Sequence, residues 1–254
     1  MSYSIAFRTI LYKEIHRFLR IWPQTLLPPV VTTSLYFLIF GRLIGIRVGN
    51  MAGFAYVDYI VPGVVLMSVI TNSYGNVVAS FYSTKFQRHI EELLIAPVPN
   101  WVIVAGYIGG GVARGLSVGA IVMAISVMFS PVEIAHPEVV FTVFLLTATL
   151  FSLAGFLNAI YANSFDDISI IPNFVLTPLV YLGGAFYSVD LLPEPWRQLS
   201  MGNPILYMIN AFRFGFLGIS DVDLMSSYVV VATFIFVLGV WVLVALHRGT
   251  GIKT

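Results

Sequence analysis

Six stretches of the chain are apolar almost without interruption: about 24–44, 58–80, 101–129, 139–162, 168–187 and 227–246. Each reaches the roughly 20 residues a helix needs to cross the hydrocarbon core of a bilayer. The first is interrupted at its start by Pro23, Pro28 and Pro29. A membrane helix tolerates this where neighbours satisfy the freed carbonyls. Ahead of it, Phe7, Leu11, Ile15, Phe18 and Trp22 recur near a 3.6-residue period, with Lys13, Arg17 and Arg20 on another face. That pattern predicts a helix over 3–22 lying in the membrane interface, basic side toward anionic headgroups. The stretch PILYMINAFRFGFLGI, 204–219, is apolar but too short to span and contains Arg213, so it is expected to be re-entrant or interfacial. One polar interruption, HIEELLIAPVPN at 89–100, has acids at its start and Pro97 and Pro99 at its end. It predicts a short helix with a proline stop.

Composition supports this layout. Of the 254 residues, 58% are hydrophobic and 10% charged, against about 25% charged in a soluble domain. Too little polar surface exists to coat a water-soluble globule, so lipid is the expected solvent for much of the chain. A net charge of +1 gives no footprint for nucleic acid. The absence of cysteine excludes disulfides, thiolate metal sites and cysteine catalysis. No removable leader is expected at the N-terminus. Lys and Arg orient the spans. With both ends inside, Arg8, Lys13, Arg17, Arg20, Lys85, Arg88, Arg248 and Lys253 face the cytoplasm. Arg42, Arg47, Arg197 and Arg213 face outward. The excess predicts cytoplasmic termini and places HIEELLIAPVPN in the cytoplasm.

Polar residues inside the spans are the candidate chemistry. Ser68, Asn72, Asn76 and Ser80 recur every four residues and form a stripe on the second span. Such a stripe either bonds neighbouring helices or lines a passage. Gly111, Gly115 and Gly119 repeat at the same interval on the third span, which allows close approach by another helix, within the chain or across a dimer. Arg114 lies in that span and needs a partner; Asp166 and Asp167, in NSFDD, are the expected counter-charges. A structural ion pair and a substrate-contacting or gating role both fit. Capping of the next helix is a further use for the two acids.

The four histidines are scattered at 16, 89, 136 and 247 without metal-ligand spacing, and there is no GxSxG or GxxxxGK[ST]. No carboxylates cluster within the spans as ion-coupled transporters require. A chain without energy-coupling groups of its own is expected to take its energy from another subunit. The competing readings are an ion-coupled secondary transporter, an intramembrane lipid enzyme and a non-transporting membrane scaffold.

Over essentially its full length the chain resembles the permease subunits of ABC-2 type exporters. The N-terminal helix, FQRHIEELLIAPVPNWVIVAGYIGGGVARG (86–115) and GGAFYSVDLLPEPWRQLSMGNPILYMINAFRFGFLG (183–218) carry the resemblance. It implies one all-α transmembrane permease domain over 1–254, with six spans and a re-entrant helical hairpin within 188–225. It also implies a cytoplasmic coupling helix within 81–98, about Phe81–Ala96, with Arg88, Glu91, Glu92, Leu94 and Pro97 engaging the ATPase. Tyr187, Trp196, Tyr207 and Arg213 would gate the exit, and Ser68, Asn72, Asn76 and Arg114 would border the pathway. The implied assembly is a homodimer in the bacterial inner membrane with two ATP-binding-cassette subunits. Those partners hold the ATP and magnesium, and this chain holds no cofactor or metal. The implied activity is export of a hydrophobic or amphipathic substrate.

Overall fold

The structure, a computed structural model, describes residues 3–131 and 134–251. Lys253, counted above for orientation, lies outside the described residues, as does the side chain of Leu94. The described residues are all-α apart from a two-residue antiparallel pairing, β1 (Asn50–Met51) with β2 (Phe54–Ala55). Among the described residues, five helices are long and apolar enough to cross a membrane: Trp22–Val48, Tyr56–Phe86, Asn100–Ser126, Pro137–Tyr161 and Leu224–Arg248.

The chain begins with α1 (Tyr3–Arg20). The first long helix comprises α2 (Trp22–Tyr36), a π-helical stretch Phe37–Ile44 and α3 (Gly45–Val48). It runs on through Pro28 and Pro29, and the Thr33 hydroxyl bonds the Pro29 carbonyl. Next come α4 (Tyr56–Phe86), the short α5 (His89–Ile95), α6 (Asn100–Ser126) and α7 (Pro137–Tyr161). A sixth apolar segment, Asp167–Leu182, comprises α8 (Asp167–Ile170), a π-helical stretch Ile171–Leu176 and α9 (Thr177–Leu182). Then follow α10 (Glu194–Met201), α11 (Pro204–Leu217) and α12 (Leu224–Arg248).

α4 and α7 form the centre, and α6, α11 and α12 pack around them. Tyr59, Val65, Tyr74, Phe81, Phe156 and Phe212 are among the buried core side chains. The helix Trp22–Val48 and α12 are apolar on nearly every face yet mostly uncovered, with Leu27, Val31, Leu35, Phe236 and Trp241 exposed. A helix that is hydrophobic all round and uncovered has acyl chains or an apolar partner as its surroundings.

Both ends of the described chain lie at the same end of the bundle. Tyr3 packs edge-on against Trp101, and His247 and Arg248 border a groove with Asn100 and Trp101. Lys85 Nζ joins that end by donating to the carbonyls of Ile160 (2.7 Å) and Ala162 (2.6 Å). This satisfies acceptors left open at the C-terminus of α7.

Three expectations change. The stretch 168–187 is not helical throughout: its helix ends at Leu182, where the chain turns at Gly183 and Gly184, the latter at φ +77°. Phe81–Ala96 is not one helix. Residues 81–86 finish α4, Arg88 takes a left-handed conformation (φ 60°), and α5 starts anew at His89. Finally, α1 does not turn Arg17 toward headgroups. It packs on α6, where Gly106, Gly109 and Gly110 meet Ile10, Leu11 and Glu14, and this close seat brings Arg17 inward.

Candidate functional site

The polar stripe of α4 is buried, and α1 covers part of it. Glu14 is fully buried (0% exposed). Its carboxylate accepts from Ser80 Oγ at 2.7 Å and pairs with Arg17 Nη2 at 3.2 Å. The same Arg17 nitrogen donates to Asn76 Oδ1 (2.8 Å) and to the Asn76 carbonyl (3.0 Å). Further along the stripe, Asn72 Oδ1 accepts from Arg114 Nη2 at 3.1 Å, while Asn72 Nδ2 donates to the Ser68 carbonyl at 2.9 Å. Ser68 bonds back to Val64 within its own helix. The four-residue period thus carries two bonded groups one turn apart on the same face, Glu14–Arg17–Ser80–Asn76 and Asn72–Arg114. The surroundings are low in dielectric, so each bond is strengthened and each loss is costly.

Beside this network a groove of ≈ 310 Å³ opens between α2 and α4. Gln24, Thr25, Pro28, Thr32 and Thr33 contribute from α2; Val64, Met67, Ser68, Thr71 and Asn72 contribute from α4. Arg114 reaches it from α6. Of the residues expected to border a pathway, Ser68, Asn72 and Arg114 line this groove, whereas Asn76 is wholly buried under Arg17.

Asp166 and Asp167 do not meet Arg114. Asp167 accepts from the Asn163 amide (2.8 Å) and the Ser164 amide (3.1 Å). Asp166 uses its backbone carbonyl to accept from Ser169. Asp167 thus closes the turn that leads into α8 by accepting from amides of that turn, and Asp166 contributes its backbone carbonyl. Among the described residues no carboxylate lies within 4.0 Å of the Arg114 guanidinium.

The three glycines of α6 pack within the chain. A Cβ on Gly111 would overlap Ser152 and Val77; on Gly115, Ser73; on Gly119, Phe144 and Val69. These positions let α6 approach α4 and α7, so they are covered by this chain itself. With Gly106, Gly109 and Gly110 against α1, the helix carries two small-residue faces, one for each side of its packing.

At the end of the bundle that carries α1, α5 protrudes. Arg88, Glu91, Glu92 and Pro97 are exposed, and so are Phe86 and Ile95, the latter at 83%. Ala96, before Pro97, is extended at ψ 142° because proline disfavours helix in the residue before it. A groove of ≈ 430 Å³ separates α5 from α1, bordered by Lys13, His89, Glu92 and Tyr107 among others.

The opposite end is closed by α10 and α11. Asn203 caps α11 by accepting from the Ile205 amide (3.0 Å) and donates to the Leu179 carbonyl (2.6 Å). The Tyr207 hydroxyl donates to the Met201 carbonyl at 2.9 Å, which holds the two helices together. Arg213 is fully buried, with its guanidinium 4.0 Å from the centre of the Tyr59 ring. It donates to the Gly184 carbonyl at 2.6 Å and lies 3.9 Å from Asp221. Asp221 in turn accepts from Ser188 Oγ (3.0 Å). Arg213 therefore ties α11 to α4 and to the 184–221 loops, lining no open passage in this conformation. Trp196 is exposed on α10, and Tyr187, half-buried, follows a cluster of Tyr36, Phe40, Tyr181 and Phe186.

The sequence pattern does not single out Glu14, nor Asn210, whose Oδ1 accepts from the Asp221 amide at 3.0 Å. Glu14 sits among basic residues, so it reads as a neutralising partner on a solvated face. The available signal was its position one turn from Ile10 and Phe18, on the apolar side of α1.

The sequence pattern of the family described as ABC-2 type transporter matches residues 5–217. The chain is 58% identical over 254 residues to the inner membrane transport permease YadH of Escherichia coli (strain K12), covering 99% of this chain and 98% of that protein. More distantly, it is 24% identical over 185 residues to nodulation protein J of Rhizobium leguminosarum bv. viciae, covering 72% and 71% of the two chains. Nodulation protein J of Sinorhizobium fredii (strain NBRC 101917 / NGR234) gives 27% over 184 residues, covering 71% and 69%. With a family match that takes in α1, the α4–α6 bundle and the α10–α11 closure, the chain belongs to the ABC-2 type transporter family.

Proposed function

We propose that the chain is the permease subunit of an ATP-driven exporter in a bacterial inner membrane. It pairs with a second copy and with two cytoplasmic ATP-binding-cassette subunits that hold the ATP and magnesium. The cargo is hydrophobic or amphipathic. Membership of the family and likeness to an inner-membrane permease support the location and class.

The observation that carries the reading is the construction of α5. A seven-residue helix projects from the bundle between a left-handed Arg88 and a proline pair, showing two acids and the apolar Ile95, with Phe86 exposed at the end of α4 just before it. Exposed Phe86 and Ile95 beside Glu91 and Glu92 suit a partner groove with a basic rim, not free water. α5 joins α4, at the centre of the bundle, to α6 through breaks at each end. A displacement of α5 by a closing ATPase pair then tilts α4 and α6 as rigid bodies.

Six crossings are part of this proposal. Asp167–Leu182 is about 24 Å long at 1.5 Å per residue, short of the ~30 Å core, and the following Gly183–Tyr187 completes its passage. An even count agrees with both ends of the chain lying at one end of the bundle, the end that also bears α5. The positive-inside bias assigns that end to the cytoplasm.

The test is co-expression with the cognate ATPase. Glu91→Arg with Glu92→Arg is expected to abolish co-purification of the ATPase and its stimulation by the permease. Retention of both would remove α5 as the coupling element.

A further inference from the structure

The groove between α2 and α4 has an electrostatic character that the permease reading does not by itself supply. The two bonded groups on this face of α4 together hold one carboxylate, Glu14, and two guanidiniums, Arg17 and Arg114. Glu14 is engaged by Arg17 and Ser80, and Arg114 has only the neutral Asn72. The cluster is thus net positive within the helix bundle, where an uncompensated charge is costly. Its unsatisfied buried groups point the same way. Among the described residues, Arg17 Nε, Arg114 Nε and Asn76 Nδ2 have no hydrogen-bond partner; all three are donors, and of them Arg114 borders the groove. What the cluster lacks is an acceptor carrying negative charge.

Arg114 is not sealed from outside. It borders the groove, together with the hydroxyl-bearing Thr32 and Thr71 and the apolar Val64 and Met67. Next to the groove, α2 exposes Leu27, Val31 and Leu35. A polar, positively charged recess thus adjoins an apolar helix face.

We infer that this groove binds an anionic amphiphile. Its phosphate, sulfate or carboxylate head accepts from Arg114, and its hydrocarbon chain lies along α2. The biological use rests on the permease reading, since a transported amphiphile and an anionic phospholipid of the bilayer both supply this chemistry.

The full-length protein, purified in dodecyl maltoside, is titrated with dodecyl phosphate, with dodecanol as the uncharged analogue. Saturable binding of dodecyl phosphate is expected, with Arg114→Gln weakening it about tenfold or more, as for loss of a charged hydrogen-bond partner. Arg114→Lys retains part of the affinity, and dodecanol binding shows no dependence on residue 114. Equal dodecyl phosphate binding by wild type and Arg114→Gln would overturn the site. If Arg114→Gln does not fold, Thr71→Trp fills the groove from its exposed side, away from Glu14, and is expected to reduce binding of the same probe; unchanged binding overturns the site equally.

Phosphatidylglycerol retained from mixed phosphatidylcholine–phosphatidylglycerol vesicles by wild type but not by Arg114→Gln identifies a bilayer lipid as ligand. Stimulation of partner ATP hydrolysis by dodecyl phosphate in pure phosphatidylcholine vesicles identifies cargo. Failure of the ATPase to co-purify at all would sink the permease reading while leaving the Arg114-dependent binding intact.

Discussion

Glu14 concentrates the energetics of the buried network in one side chain. It is the acid that Arg17 and Ser80 share, and it faces α4 from the inner side of α1 with no access to water. Removing one partner of a buried pair leaves the other charge uncompensated, typically at about 3–5 kcal/mol. Glu14→Ala is therefore expected to lower the thermal unfolding midpoint in detergent sharply, whereas Glu14→Gln, which keeps an acceptor for Ser80, loses less. A comparable midpoint for all three proteins would show that the network contributes little. Gly115 is the steric counterpart. Its missing Cβ makes room for Ser73, so Gly115→Val forces α6 away from α4, and overpacking of this kind costs about 1–3 kcal/mol or more. The outcome is read as loss of monodisperse protein on size exclusion.

The helices are held at their ends by local devices that can be removed singly. Asp223 caps α12, accepting from the Ser226 amide at 2.9 Å and from the Ser226 hydroxyl at 3.0 Å. Bonds from the Ser226 amide and hydroxyl hold its carboxyl below the usual carboxylate range. A depressed folded-state pKa adds stability above the unfolded value and loses it as pH falls through the folded one. Asp223→Asn, still a good cap, is expected to match wild type at neutral pH and to lack this component of the acid-induced loss, as measured by thermal melts across the acidic range. At α5 the relevant property is stiffness. Pro97 and Pro99 separate α5, the proposed coupling element, from α6, and replacing both with glycine leaves Glu91 and Glu92 in place while making the link pliable. The expected result is normal co-purification of the ATPase with reduced substrate-dependent transport. Unchanged transport in vesicles would mean the prolines only terminate a loop.

For the whole molecule, sidedness is the decisive property. Both ends of the described chain and α5 lie at one end of the bundle, with α10 and α11 at the other. The chain has no cysteine, so single cysteines report position without background. With a maleimide that does not cross the bilayer, Glu91→Cys and Thr250→Cys are expected to react only from the cytoplasmic side, and Trp196→Cys only from the opposite side. Labelling of Trp196→Cys together with Glu91→Cys from one side would refute the even number of crossings.

The sequence alone determined the membrane class, the existence of each long helix, though α4 runs six residues past its expected end at 80, and the proline-bounded segment at 89–100. These follow from hydrophobic runs and backbone chemistry, which act over neighbouring residues and need no partner. The stripe at Ser68, Asn72, Asn76 and Ser80 was also legible as a face that cannot meet lipid. Which groups met that face was decided only by tertiary structure. Arg114 went to Asn72 and not to Asp166 or Asp167, because the turn at 163–167 supplies its own amides to the acid. Arg17 turned inward, because three glycines on α6 let α1 sit close enough for Glu14 and Arg17 to reach α4. Gly111, Gly115 and Gly119 proved to pack against helices of their own chain. A periodic pattern specifies that a face must be covered, and only the assembled bundle specifies by what, since that depends on helix distances and on which polar groups have already been satisfied nearby.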